Sequence, residues 1–430
     1  VELTIESLAY GGAGVSHAED GVTVFVPDTC PGDVIEAEIT EDHGRFRRAR
    51  VREVLSASPD RVAPRCPYFG ECGGCQWQHI DYGTQLDWKR RSVTDALERI
   101  GKLDIPVRET LGSANSYGYR NKVEFSVATT PQGIALGYTR AGSTDVLPVD
   151  RCSLLPKKAE RTPRALTGAL RFIGARGDVA VERVALRVAA NGAIEVDLWT
   201  APGPFPRQLA AKVLTDAVGA RTITRVLFKG ELKARNVSKV EVLSGPGAWE
   251  ERLGDHRYLV SAPSFFQVNT AAARQLRRVV LDALAPDGTD LAIDLFAGVG
   301  TFTLPLAEKA GDVIAVESSR HAIGDLRRNL EMNRLSAEIE PGDADRILPT
   351  LGRADLVVVD PPRAGLSQST VQALGATGAR RIAYVSCDPA TLARDAARLA
   401  EHGYRPTEAV PVDLFPQSYH IETVLTFEAI

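Results

Sequence analysis

The 430-residue chain has no apolar run approaching the ~20 residues that a membrane-spanning helix requires, so no spanning helix is expected. At the N-terminus Leu3 and Ile5 alternate with Glu2 and Glu6 instead of forming a charged start and an apolar stretch, and no export signal is expected. Internal repeats and low-complexity tracts are missing, which argues against a solenoid or a disordered tail. Cysteine is scarce. Of the six, three crowd the stretch from Cys66 to Cys75, a pattern that excludes a disulfide framework and fits metal or cluster binding in a reducing cytoplasm. An overall excess of positive charge is also lacking, since the formal net charge is -4. A polyanion partner is not thereby excluded, because a local basic face and not the chain sum binds phosphates.

What is present is the composition of a soluble, well-packed protein: 44% hydrophobic and 25% charged residues. The length exceeds one ordinary core and implies about two to four domains. Basic residues gather in three places: Arg45, Arg47, Arg48, Arg50 and Arg52; Lys89, Arg90 and Arg91; and Lys233, Arg235 and Lys239. Each is either a solvated face or a nucleic-acid contact.

Residues 1–57 read as short strands (3–8, 22–26, 34–39 and 47–54) punctuated by Gly11-Gly12-Ala13-Gly14 and by prolines. Period-two alternation of this kind predicts a small all-β barrel, an architecture that commonly grips single-stranded or looped nucleic acid. Residues 58–250 form a mixed α+β middle domain with the cysteine cluster, a helix near 84–100, and strands such as 122–128 and 194–199. The helical segment at about 80–110 is a candidate to pack on the third domain. From 251 to 430, β-branched runs at 292–296, 312–317, 337–340, 355–360 and 381–386 alternate with helical pattern. That specifies a doubly wound, Rossmann-like parallel sheet whose ligands lie at the carboxyl ends of its strands.

Asp294-Leu295-Phe296-Ala297-Gly298-Val299-Gly300-Thr301 follows the first of these strands and opens a helix. A lone Gly-x-Gly is a weak signal. Its neighbours sharpen it: Glu317 ends the second strand, where a carboxylate can accept from both ribose hydroxyls, and Asp343 follows the third, where it can face an adenine amino group. With no second glycine pair for a pyrophosphate, a nucleoside without phosphates such as S-adenosylmethionine is favoured.

Two more strands end on the same rim, in Asp360-Pro361-Pro362-Arg363 and in Ser386-Cys387-Asp388-Pro389. Cys387 stands just before a helix start, whose field would draw its thiol toward the thiolate; a free cysteine is otherwise a small buried apolar residue. Carbon 5 of uracil is a poor nucleophile, and a thiolate adding to carbon 6 makes it able to attack a sulfonium methyl. A base must then remove the carbon 5 proton. Glu422 in the last strand region is the candidate, and His420 is its rival.

Read together, the blocks resemble the RNA 5-methyluridine methyltransferase family. They are Cys72-Gly73-Gly74-Cys75 with Gln76-Trp77-Gln78-His79, Tyr119-Arg120-Asn121-Lys122, Phe266-Gln267-Val268-Asn269, the Asp294 block, Asp360-Pro361-Pro362-Arg363, Ser386-Cys387 and His420-Ile421-Glu422. They run in order over nearly the whole chain. The resemblance implies Cys387 as nucleophile, Glu422 as base, and Gln267, Phe296, Thr301, Glu317, Asp343 and Asp360 around cofactor and target base. It implies a TRAM-type barrel and, for Cys66, Cys72, Cys75 and Cys152, a 4Fe-4S cluster, where spacing alone leaves zinc equally open. Departures stand beside the site: Asp388 where relatives often carry Asn, Gln417-Ser418 where His-Thr is frequent, and Thr301 where some members have Asn. RNA is the implied partner, with Arg120, Lys122 and the 45–52 strand as candidate phosphate contacts. The barrel and cluster point to 23S ribosomal RNA, with transfer RNA as the alternative. A non-catalytic RNA-binding protein and an iron-sulfur radical enzyme are further readings; the intact Cys387 and Glu422 pair argues against the first, and a cysteine spacing other than C-x3-C-x2-C against the second. A cytoplasmic monomer is expected.

Overall fold

The computed structural model describes residues 1–131, 133–176, 180–230 and 236–430. No helix among the described residues is long and apolar enough to cross a membrane.

The first unit is a six-stranded sheet of β1 (Glu2–Thr4), β2 (Ser7–Leu8), β3 (Gly14–His17), β4 (Thr23–Val26), β5 (Val34–Asp42) and β6 (Phe46–Ser56), in the order β1-β5-β6-β4-β3-β2. Leu3, Ile5, Val24, Val26, Ile35, Ala37 and Ala49 fill its core, as alternation requires. β3 starts inside the stretch read from sequence as a turn: a four-residue strand beginning with Gly carries too little β-forming signal to be seen alone. The arginine-rich β6 is not the open basic face expected. It pairs antiparallel with an acidic β5, so Arg47 bridges Asp20 and Asp42, Arg48 meets Glu41, and Arg50 and Arg52 share Glu38.

The middle unit is a seven-stranded mixed sheet of β7 (Lys122–Thr130), β8 (Gly133–Thr139), β9 (Val146–Pro148), β10 (Val181–Val188), β11 (Ile194–Thr200), β12 (Ala220–Phe228) and β13 (Val237–Ser244), in the order β13-β12-β11-β10-β7-β8-β9. Helix α1 (Tyr82–Arg99) precedes it, and α2 (Thr162–Gly174) and α3 (Arg207–Val218) pack on it. A ribbon of β14 (Trp249–Leu253) and β15 (His256–Val260) follows, beginning two residues before the division placed at 250/251.

The third unit contains α4 (Thr270–Leu284), β16 (Leu291–Leu295), α5 (Thr303–Ala307), β17 (Asp312–Glu317), α6 (Arg320–Asn333), β18 (Glu338–Pro341), α7 (Ala344–Leu351), β19 (Leu356–Val359), α8 (Gln368–Thr377), β20 (Arg381–Ser386), α9 (Pro389–Glu401), β21 (Tyr404–Val412) and β22 (Glu422–Ala429). Its sheet runs β18-β17-β16-β19-β20-β22-β21. The first five are parallel neighbours, and β22 enters antiparallel between β20 and β21. The strand order reverses at β16, which puts a ligand crevice at the carboxyl ends of β16 and β19.

Helix α1 packs on α9 and β21, and the chain after it adds bridges Val107 to Ala409 and Leu111 to Val412. Lys89, expected in a basic patch, is instead fully buried, with Nζ 2.6 Å from Asp413 Oδ1. Its neighbours Arg90 and Arg91 are exposed, and the Arg91 guanidinium stands 4.5 Å over the Trp88 ring. Of the third basic group, Lys233 and Arg235 lie outside the described residues, and Lys239 pairs with Glu241.

Candidate active site

One cleft of about 810 Å3 is lined by the ends of β16, β17, β19, β20 and β22 and by the wall that carries the cysteine cluster. Of the residues singled out in the sequence, Gln267, Phe296, Glu317, Asp360, Cys387, Glu422, Cys66, Cys72, Cys75 and Cys152 all line it. Thr301 and Asp343 do not. Thr301 follows the glycine turn, while Asp343 is exposed at the start of α7, where its carbonyl accepts the Arg346 and Ile347 amides.

The glycine turn is built for close approach. Phe296, Gly298 and Gly300 all have positive φ. A Cβ on Gly300 would stand 2.5 Å from Leu304 Cδ1 and 2.7 Å from Leu326 Cδ1, so only glycine lets the turn settle on α5 and α6. Glu317 holds this turn: Oε2 accepts from the Gly298 amide (2.8 Å) and Oε1 from Ser319 N (2.7 Å). Each oxygen retains a second lone pair for a ligand hydroxyl.

Beneath the turn, Asp294 Oδ2 accepts the Thr303 hydroxyl at 2.6 Å, while Oδ1 is buried with no partner. Burial, with Asp360 and Glu317 nearby, pushes Asp294 up to about 7. Desolvation likewise raises Asp360 to about 7. Glu422 is 5% exposed with Oε2 unpartnered, and burial followed by the Asp360 charge lifts its carboxyl well above the usual range against the pull of Arg363.

Cys387 departs from its expected state. Burial and then Glu422 push its thiol up to about 12, with Asp360 and Asp388 adding to the rise and Arg363 opposing it. The helix field expected to lower it is already taken: the Asp388 carboxylate caps α9, accepting from Ala390 N (2.9 Å) and Thr391 N (3.0 Å). His420, the rival base, is pulled down to about 4 by burial and by the cations Arg363, Lys89 and Arg120.

On the opposite wall, burial raises Cys66, raises Cys72 to about 11 and raises Cys75 to about 12, with the neighbouring thiols adding to each. Among the described residues no group of three or more His, Cys, Asp or Glu side chains is placed to hold a metal ion. The Tyr138 hydroxyl is buried without a nitrogen or oxygen partner and lies against Cys152. Cys30, expected to be buried and inert, packs with Leu8, Trp77 and Ile80. Arg120 lines the cleft, where its Nε donates to the Lys122 carbonyl and no carboxylate pairs with it among the described residues, whereas Lys122 Nζ is 2.9 Å from Glu124 and does not present the bare cation anticipated for phosphate.

Three cleft features went without a role in the sequence reading. Arg363 was quoted only as part of a block; it lines the cleft and is the counter-charge that opposes the rise of Cys387 and Glu422. Phe265, 65% exposed, lines the mouth. Tyr10 comes from the barrel, and its hydroxyl donates to the Cys387 carbonyl at 3.2 Å. An exposed aromatic next to a site is the kind of signal that could have identified Phe265, whereas nothing local to residue 10 points to residue 387.

The family model described as tRNA (Uracil-5-)-methyltransferase matches residues 351–430, the TRAM domain model matches 1–51, and the TRM5/TYW2 methyltransferase domain model matches 266–373. An uncharacterized RNA methyltransferase of Halalkalibacterium halodurans is 35% identical over 446 residues, covering 100% of this chain and 96% of the relative. Another, of Thermosynechococcus vestitus, is 34% identical over 440 residues, covering 99% and 97%. Among solved structures, the Pyrococcus abyssi tRNA (uracil-54, C5)-methyltransferase in complex with S-adenosyl-L-homocysteine superposes with a TM-score of 0.76 at 28% identity, covering 99% of this chain and 100% of that one.

Proposed function

This chain belongs to the RNA 5-methyluridine methyltransferase family, and from that premise we propose that it methylates carbon 5 of a uridine in RNA through a covalent bond from Cys387. The observation that carries the reading is the convergence of Cys387, Glu422, Asp360, Arg363 and the Glu317-held glycine turn on one cleft. S-adenosylmethionine supplies the methyl group as a sulfonium cation. The chain's own groups suit such a ligand, since Asp360, Glu317 and Glu422 line the cleft with buried Asp294 beneath the glycine turn, concentrating acid where a cation would sit. A cation beside them favours their charged forms. Donor binding thus prepares Cys387 to lose its proton and Glu422 to accept one.

Cys387 Sγ adds to carbon 6, and electron density moves to carbon 5, which takes the methyl group as the donor's sulfonium sulfur leaves with its bonding pair. Glu422 then removes the carbon 5 proton, the double bond re-forms, and the thiolate departs. Glu422 is fitted to this by its unpartnered Oε2, and neutral His420 is left to line the cleft. Gln267 and Asp360, both at the cleft wall, offer amide and carboxyl groups to the uracil edge. The target base is stacked in folded RNA and must be taken from a loop or flipped out.

The four cysteines hold a 4Fe-4S cluster on this reading. Four half-buried thiols lining the same cleft would suit it, and the orphaned Tyr138 hydroxyl beside Cys152 has a sulfur to donate to. Methylation has no net redox change, so a cluster held by these cysteines would serve as a staple of the middle unit and not as an electron carrier.

The target is a uridine of 23S ribosomal RNA, on the strength of barrel and cluster together. A transfer RNA uridine is the second reading, favoured by the end-to-end match to the P. abyssi enzyme, barrel included. Incubation with labelled methyl donor and separated ribosomal and transfer RNAs decides between them; label confined to transfer RNA overturns the ribosomal target. Cys387→Ala abolishes turnover and Glu422→Gln traps an RNA adduct that survives denaturing electrophoresis. A fully active Cys387→Ala protein would refute the mechanism.

A further inference from the structure

The turn between β2 and β3 is closed by Ala9 N to Ala13 O (2.8 Å) and Gly12 N to Ala9 O (3.0 Å), with Gly11 and Gly12 at φ +120° and +97°. It is seated against other parts of the chain. Trp77 Nε1 donates to the Gly12 carbonyl at 3.1 Å, and a Cβ on Gly12 would stand 3.0 Å from Gln76 Cβ and 3.2 Å from Tyr419 Cδ1. The Gln76 and Trp77 amides in turn both donate to the Gln417 carbonyl, at 3.0 and 3.1 Å. The barrel turn, the segment after the cysteine cluster and the loop leading to Glu422 therefore lock together.

Tyr10 is the tip of that turn. Its hydroxyl donates to the Cys387 carbonyl at 3.2 Å, and its ring meets Tyr419 edge-on at 5.3 Å and 84°. Tyr419 lies 4.2 Å from His420, which lines the cleft, so an aromatic row runs from the barrel to the pocket wall. Burial raises the Tyr10 phenol above its ordinary range, so it stays a donor. Even so, 38% of the residue is exposed. An aromatic residue held by its hydroxyl and by a T-shaped ring contact, with over a third of its surface open, has the chemistry of a base-stacking platform.

We propose that Tyr10 is a positioning and specificity residue: its hydroxyl fixes the backbone of Cys387, and its exposed aromatic side chain stacks a base flanking the target uridine. The partner is an unstacked nucleobase of single-stranded or looped RNA. The inference deepens the RNA-methylation reading and rests on it.

The test compares full-length wild type, Tyr10→Phe and Tyr10→Ala, using unmodified 23S ribosomal RNA and transfer RNA transcripts. It measures RNA affinity by filter binding, S-adenosylmethionine affinity by calorimetry, and single-turnover methylation. Loss of one base stack weakens RNA binding about 5- to 150-fold in Tyr10→Ala. Tyr10→Phe keeps the ring, so RNA affinity is retained while the methylation rate falls about fivefold with the lost hydrogen bond. Donor affinity is unchanged in both. Wild-type RNA affinity in Tyr10→Ala overturns the proposal, as does a parallel loss of donor affinity, which marks a merely structural tyrosine. If wild type binds RNA but methylates neither transcript, the methylation reading fails, while the binding arm still decides on the stack.

Discussion

Replacing Lys89 with methionine removes a cation of similar length from a fully buried pair. The ammonium lies 2.6 Å from Asp413 Oδ1 and 3.1 Å from the Phe415 carbonyl, and both charged side chains are 0% exposed. Asp413 also accepts from the Tyr82 hydroxyl (3.0 Å) and the Phe415 amide (2.9 Å), so it is left buried with two neutral donors and without its cation. Breaking one side of such a pair costs about 3–5 kcal/mol, a large part of the ~5–15 kcal/mol that holds a typical fold. The loss reaches chemistry, because Asp413 and Phe415 open the loop that runs through Gln417 to Glu422. Urea unfolding and methyl transfer measured on Lys89→Met, Asp413→Leu and the double variant separate the effects. The double variant should regain most of the single-variant loss, since a buried pair replaced by apolar groups is often neutral. A single-variant loss below about 1 kcal/mol, or additive losses in the double variant, refutes the reasoning.

The unliganded protein should lose stability as pH rises. Asp294 moves from 3.8 to about 7 on folding, so its contribution is complete below 3.8 and disappears through about 7, a span worth up to ~4 kcal/mol. Asp294→Asn keeps an acceptor for Thr303 and should reduce that slope between about pH 5 and about pH 8, leaving the part due to the other raised carboxyls, Asp360 and Glu422 among them; urea midpoints at the two values check it. Gly300→Ala forces a Cβ to 2.5 Å from Leu304 at φ +98° and should cost ~2–6 kcal/mol, read as a lowered melting temperature with weakened donor binding. Cys75→Ser should lower bound iron and visible absorbance after anaerobic reconstitution; unchanged iron content counts against a four-cysteine cluster.

Much of the cleft was legible because its signals are local. The parallel strands of the third unit are β-branched runs, and β16, β17, β19 and β20 fall within a residue of where those runs predict them. Each ends in a chemically distinctive residue, so strand ends alone bring Glu317, Asp360 and Cys387 to one rim. What was illegible depends on partners far along the chain. A run of arginines cannot show that an acidic strand will neutralise it, as β5 does for β6. Lys89 reads as surface charge until Asp413, 324 residues later, is placed beside it. The Cys387 thiol was expected to be acidified because the helix start was visible while the ring of buried carboxylates was not.

The position of β22 has a consequence for biosynthesis. The eight residues that carry Glu422 fill the gap between β20 and β21, so a nascent polypeptide halted before them exposes two open sheet edges and has no proton acceptor. Completion of the sheet therefore depends on the same residues that bring Glu422 to the cleft. A chain halted there lacks the carboxylate proposed for the proton-removal step, so it could not complete a turnover.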